Sequence, residues 1–330
     1  MTENWNLLGH DWAVDMLSQH VANNSQRHAY LFTGSPAVGR RSLALAFARA
    51  LSCSAPPAPG AFCGECRECR QIGAMQHPDL HIIQAEKEGG MLKVEQIREL
   101  RKSVLLSPYQ AKYRLVLLLR FQEANPSAAN ALLKTLEEAP SKVILLLTAD
   151  NPEQLLPTIV SRCEVLRLRP VPLPRLESYL REKGADEEKA KFLAHLSGGR
   201  TGYALQLLED ESSLEFRREK LDEFSSLLKA SRVARFAYAE KLVKDKEEFR
   251  ETLLLWLSLW RDVMLLVAGD EESLVNIDQR ELINKLADRL SLSEAKKLLS
   301  IAENGIGQLN RNINARLLAE VILLDFPQLQ

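Results

Sequence analysis

Apolar and polar positions along the chain change their spacing repeatedly, and those changes set out its elements. Over residues 10–24, Ala13, Met16, Leu17 and Val21 recur at helical spacing with His20 beside them, which predicts an amphipathic helix. Ala29-Tyr30-Leu31-Phe32-Thr33 is a short apolar run, followed by a helical pattern with Leu43, Phe47, Ala50 and Leu51 on one face. Leu80-His81-Ile82-Ile83 reads as a strand, and Lys93 to Leu105 as a helix aligned on Val94, Ile97, Leu100 and Val104. Residues 114–119 are nearly all apolar, as a strand covered on both faces requires. Asn125-Pro126 places an N-cap residue before a proline at the first helical position, opening a helix that stops at Pro140. Val143 to Leu147 and Glu164 to Leu168 are the last strands. Strands alternating with helices predict a doubly wound parallel sheet.

Beyond the proline-rich Arg169-Pro170-Val171-Pro172-Leu173-Pro174 the pattern is helical only. Residues 173–210 predict three short helices with a break at Gly198-Gly199. Residues 211–325 predict longer amphipathic helices separated near Lys229, Gly269–Asp270, Asn276 and Asn304–Gly305. Boundaries near 170 and 210 give three domains: an α/β domain over 1–170, a small helical lid over 171–210 and an all-helical domain over 211–330. No internal repeat or low-complexity tail is evident.

Composition narrows this picture in three ways. A chain of 330 residues with 46% hydrophobic and 26% charged residues has the make-up of a soluble globular protein with several cores. Its net charge of −1 supplies no global basic field, so any contact with nucleic acid has to come from a local patch. Met1-Thr2-Glu3-Asn4-Trp5 lacks the basic segment and apolar core of a secretory signal, which points to the cytoplasm. The most apolar stretch, Leu253 to Val267, contains Ser258, Arg261 and Asp262 and is shorter than a bilayer span, so it reads as a buried helix.

Gly34-Ser35-Pro36-Ala37-Val38-Gly39-Arg40-Arg41-Ser42 lies between a strand and a helix, the layout of a phosphate-binding loop. Gly34 and Gly39 keep the spacing of G-x-x-x-x-G-K-[ST]. Arg40 stands at the lysine position and Arg41 where magnesium needs a hydroxyl. Ser42 is one residue late, which turns it about 100° around the helix. The neighbouring strand ends Leu118-Leu119-Arg120-Phe121, where an ATPase carries Asp-Glu to hold magnesium and orient water. Leu119 does neither, and Arg120 has the wrong sign. Gly34, Gly39, Arg40 and Ser42 thus read as the remnant of a nucleotide site whose chemistry is gone. The plainer reading is a strand-to-helix turn with glycines for backbone geometry.

The cysteines are clustered. Cys53, Cys63, Cys66 and Cys69 lie in and after the break at Ser54-Ala55-Pro56-Pro57-Ala58-Pro59-Gly60. Four thiolates in one irregular insertion can close a tetrahedral zinc shell with no open position, hence a structural clip. An iron–sulfur centre also uses C-x2-C-x2-C, but the cysteine that usually follows is missing between Arg70 and Gly73. Cys163 lies far away beside a strand and reads as a buried thiol.

Residues 128–140, Ala-Ala-Asn-Ala-Leu-Leu-Lys-Thr-Leu-Glu-Glu-Ala-Pro, followed by Leu155-Leu156-Pro157-Thr158-Ile159-Val160-Ser161-Arg162-Cys163, closely resemble the AAA+ subunits of the bacterial DNA polymerase III clamp loader. His28 to Gly34, the four-cysteine insertion and Asn312-Ile313-Asn314-Ala315-Arg316-Leu317 resemble the same family. With its degenerate loop and no Asp-Glu, the chain is similar to the delta-prime branch rather than the ATP-hydrolysing gamma/tau branch. The resemblance implies an AAA+ module on a helical collar and one structural zinc. It implies assembly with gamma/tau and delta, and loading of a sliding clamp on primed DNA. It also implies that Arg162 acts in trans as an arginine finger on a neighbouring subunit's ATP. The competing readings are an ATP-hydrolysing clamp-loader subunit with unusual motifs and a zinc-dependent nucleic-acid-binding module. Arg200 and Gly202 lie where that family carries a sensor arginine, but their register assigns neither a role.

Overall fold

The computed structural model describes residues 5–329 apart from 88, 139 and 310–313, so Asn312 and Ile313 of the collar-like motif lie outside the described residues. It divides into two compact units, Met1–Leu176 with Gly199–Tyr203, and Glu177–Gly198 with Ala204–Gln330.

The first unit is built on five parallel strands: β1 Ala29–Thr33, β2 Leu80–Ile83, β3 Arg114–Leu118, β4 Val143–Ala149 and β5 Glu164–Arg167. Their order is β2-β3-β4-β1-β5, so the three fully buried strands β3, β4 and β1 lie side by side between β2 and β5. Six helices accompany them: α1 Asp11–Ala22, α2 Arg40–Ser52, α3 Arg67–Gly73, α4 Val94–Val104, α5 Pro126–Glu137 and α6 Pro157–Val160. Strand side chains alternate between two cores. Tyr30, Phe32, Leu115, Leu117, Ile144 and Leu146 pack with α1, α2 and α3. Leu31, Val116, Leu118, Val143, Leu145 and Leu147 pack with α4, α5 and α6. The doubly wound sheet expected from the apolar runs is therefore present. Asn125 caps α5 as anticipated, accepting from the Ala128 N–H at 2.7 Å.

The cysteine insertion is more ordered than its proline content suggests. Cys66 caps α3, its sulfur accepting from the Cys69 N–H at 3.4 Å.

Nine more helices follow: α7 Leu173–Glu182, α8 Glu187–Ser197, α9 Thr201–Glu209, α10 Glu211–Lys229, α11 Arg232–Leu242, α12 Lys246–Val267, α13 Arg280–Ala287, α14 Leu292–Leu309 and α15 Ala315–Leu324. The apolar stretch Leu253 to Val267 lies in α12 and buries Trp256, Leu259, Trp260 and Val263. The break expected at Asn304–Gly305 is absent, because α14 runs through it. A Cβ on Gly305 would stand 2.8 Å from the Ile322 side chain, so this glycine permits the close approach of α15. Conversely, the chain breaks between α11 and α12, where Asp245 caps α12 by accepting from the Glu247 and Glu248 N–H groups.

Arg235 ties the ends of this helical unit together. It is 4% exposed and donates to the carbonyls of Leu227, Leu323, Phe326 and Pro327 at 2.7–3.1 Å. A cation set against helix C-termini gives their last carbonyls a further donor. Arg235→Met removes a charged donor from all four carbonyls and should cost about 2–4 kcal/mol. The expected result is a lower urea midpoint in the transition followed by tryptophan fluorescence, with an unchanged slope.

Candidate nucleotide loop, surface arginine and metal centre

The loop after β1 is held in a form that few sequences adopt. Gly34, Ala37 and Gly39 have φ of 146°, 62° and 110°. A Cβ on Gly34 would stand 2.6 Å from the Leu168 carbonyl oxygen, so only glycine fits. Two contacts from distant parts of the sequence close over the loop. The Gly202 N–H donates to the Ala37 carbonyl at 2.9 Å, and a His10 ring nitrogen meets the Val38 carbonyl at the same distance. Gly202, given no role from the sequence, is required here, since a Cβ on it would meet the Ala37 oxygen at 2.8 Å.

Arg40 opens α2 and is buried. Its Nη1 lies 2.6 Å from Oδ1 of Asp150, just past the end of β4. The charge at the lysine position is thus neutralised from within the chain. Arg41 and Ser42 are both exposed, so neither supplies a hydroxyl inside the loop. At the end of β3, Leu119 is buried and Arg120 adopts φ 48°. The Arg120 Nε donates to Glu123 at 2.8 Å, and the same carboxylate accepts from the Gly89 N–H. The nearest candidate acid is therefore occupied by a guanidinium.

Arg162 follows α6 on the surface. Its Nη1 donates to the Thr158 carbonyl at 2.9 Å and its Nη2 to Glu137 of α5 at 2.7 Å. The side chain remains about one third exposed, so the guanidinium is held in place and still reachable. The neighbouring Cys163 is half-buried rather than buried, and desolvation pushes its thiol up to about 12.

The four clustered cysteines come together. Their sulfurs all lie within 4.8 Å of one another, with Cys53–Cys63 at 3.6 Å and Cys53–Cys66 at 3.9 Å. Disulfide sulfurs stand about 2.05 Å apart, whereas four sulfurs about 2.3 Å from a central ion stand about 3.8 Å from one another. The spacing fits one tetrahedral metal ion. Backbone N–H groups of Cys66 and Glu65 pull the Cys63 thiol down to about 6, towards the thiolate a metal takes. Burial pushes Cys53 and Cys69 up, the cost that a bound cation would offset.

Residues 9–172 match the family described as "DNA polymerase III, delta subunit", and residues 211–328 match "DNA polymerase III, delta subunit, C terminal". The DNA polymerase III subunit delta' of Pseudomonas aeruginosa is 32% identical over 320 residues, 95% of this chain and 94% of the relative. The chain belongs to the DNA polymerase III delta-prime family. The delta' subunit of Bacillus subtilis is 27% identical, with 94% of each chain covered. The tau/gamma subunit of Haemophilus influenzae is 34% identical over 178 residues, 53% of this chain and 25% of that longer relative. Family membership makes the chain a clamp-loader subunit. Among the described residues no helix is long and apolar enough to cross a membrane.

The sequence located the loop, the surface arginine and all four thiols. It missed Asp150, His10 and Gly202, whose partners are distant in sequence and carry no local signature. One equivalent of a thiophilic metal is expected by elemental analysis of the purified chain. Cys66→Ser should lower the metal content well below one equivalent and expose the insertion to proteolysis.

Proposed function

We propose that this chain is the non-hydrolysing member of its clamp loader, a fixed subunit that serves a neighbour's ATP site. The observation that carries this reading is the Arg40–Asp150 ion pair within the nucleotide loop. An active loop directs its cation at nucleotide phosphates and its hydroxyl at magnesium. Here Asp150 holds the cation, and Arg120 neutralises Glu123 just past the end of β3. An ATP-hydrolysing role would have to break both pairs.

The same reading gives Arg162 the role of an arginine finger in trans. Of its five N–H donors, Thr158 and Glu137 engage two and fix the side chain, leaving others for phosphate oxygens. A guanidinium placed at a transferring phosphoryl group stabilises the charge that spreads over its oxygens, an effect worth ~10³–10⁵ in rate. The metal of the four-cysteine site is zinc, which suits four sulfurs in a closed shell; the role is structural. Residues 1–170, 171–210 and 211–330 serve as AAA+ module, lid and collar, the collar assembling with gamma/tau and delta. The complex opens a sliding clamp and loads it on primed DNA in the cytoplasm.

Two outcomes test this. The purified chain should hydrolyse no ATP above background; turnover that disappears on Arg40→Ala would overturn the non-hydrolysing role. Arg162→Ala should leave assembly with gamma/tau and delta intact on gel filtration while slowing the ATPase of the complex. An unchanged ATPase would remove Arg162 from the mechanism.

A further inference from the structure

One side of α8 is turned into the helical unit. Lys189, Phe192 and His195 recur at three-residue spacing, so they share a face of the helix, and all three are half-buried. Each meets a different part of that unit. Lys189 Nζ lies 3.8 Å from Glu211 at the start of α10, the Phe192 ring lies 5.5 Å from the Arg217 guanidinium carbon, and a His195 ring nitrogen lies 2.9 Å from the Leu274 carbonyl. Leu274 belongs to the connection between α12 and α13, residues 268–279. That connection is largely irregular, yet buried polar groups hold it. Asp262 of α12 is fully buried and accepts from the N–H groups of Val275 and Asn276 at 3.0 and 2.6 Å, and from the Asn276 side chain at 2.9 Å. Asn276 is also fully buried, and its amide oxygen accepts from Arg217 Nη2 at 2.9 Å. Arg217 forks onto Asp278 at 2.6 and 2.8 Å as well. Its guanidinium therefore joins Phe192 of α8 to the connection that carries Asn276 and Asp278.

Just past the end of α8 the chain passes from one unit to the other at Gly198, as it does at Leu176 and Tyr203. The two adjacent glycines there differ. Gly199 is fixed within the sheet-bearing unit: its carbonyl accepts the Val171 N–H at 2.8 Å, and a Cβ on it would stand 2.3 Å from the Val171 oxygen. Gly198 caps α8 at φ 58°, and a Cβ on it would have nothing within 4 Å. We propose that Arg217 and residues 268–279 clamp α8 to the helical unit, so that the two move as one body, with Gly198 as the pivot. Buried, directional hydrogen bonds admit one good geometry and make a stiff joint. A glycine in the left-handed region with no close neighbour is where backbone dihedrals change at least cost. A partner that engages the helical unit thereby positions α8 as well. Residues 199–203, with the Gly202 N–H on the Ala37 carbonyl, stay with the nucleotide loop. The inference concerns motion within this chain and holds whether or not the chain hydrolyses ATP.

The test is hydrogen exchange of the full-length chain, read by mass spectrometry. In the unaltered protein, at urea concentrations below the unfolding transition, amides of α8 and of residues 268–279 should open with one free energy and one urea slope. Amides of 199–203 should instead follow β1 and β4. Arg217→Met removes the fork and keeps the bulk of the side chain. It should speed exchange across both α8 and 268–279 by about tenfold or more, with 199–203, β1 and β4 unchanged. Unequal opening of α8 and 268–279 in the unaltered protein, or exchange in α8 that Arg217→Met does not alter, would overturn the clamp. Opening of 199–203 together with α8 would overturn the pivot at Gly198. The urea series uses no variant, so it decides the matter even where Arg217→Met fails to fold.

Discussion

The ion pair between Arg40 and Asp150 is the interaction around which the nucleotide loop is arranged. A cation buried in the first turn of α2 has two unfavourable neighbours, the low dielectric of the core and the positive end of the helix dipole. A carboxylate at the end of the central strand β4 answers both. It can do so because the sheet places the ends of β1 and β4 side by side, in register from Ala29 with Leu145 to Thr33 with Ala149. The Asp150 carbonyl also accepts the Gly34 N–H at 3.1 Å, so one residue fixes both the start of the loop and the charge at its end. A loop satisfied from within needs no nucleotide to hold its shape.

That arrangement also explains what could be read from the sequence. The central strands were legible because burial on both faces leaves nearly continuous apolar runs. The α5 start was legible because asparagine followed by proline is a local signal. The loop's departures from G-x-x-x-x-G-K-[ST] were legible as residue types at fixed offsets. What the substituted residues contact was not legible, since Asp150 lies 110 residues from Arg40 and Gly202 contacts Ala37 only through the fold. Gly305 was misread for a related reason. A glycine in a helical pattern looks like a break, and only the approach of Ile322 reveals it as a packing requirement.

The four-cysteine insertion shows the opposite balance. Its proline-rich sequence buries little surface, yet spacing alone named all four sulfurs. Short-range geometry is fixed by the chain itself: Cys66 and Cys69 are one helical turn apart, and the N–H groups of Cys63, Cys66 and Cys69 each point at a sulfur earlier in the cluster, at 3.3–3.4 Å. These backbone bonds orient the sulfurs and, at Cys53 and Cys63, favour the charged form. The unsuspected part was α3, which one of the thiols caps.

The arginines of the sheet-bearing unit separate by what they face. Arg40, Arg114 and Arg120 are turned inward onto Asp150, Asp79 and Glu123, and there each cation is cancelled by a neighbour of opposite charge. Arg162 is half turned outward: Glu137 fixes its direction without covering it. Arg167 and Arg169 have neither constraint nor cancellation.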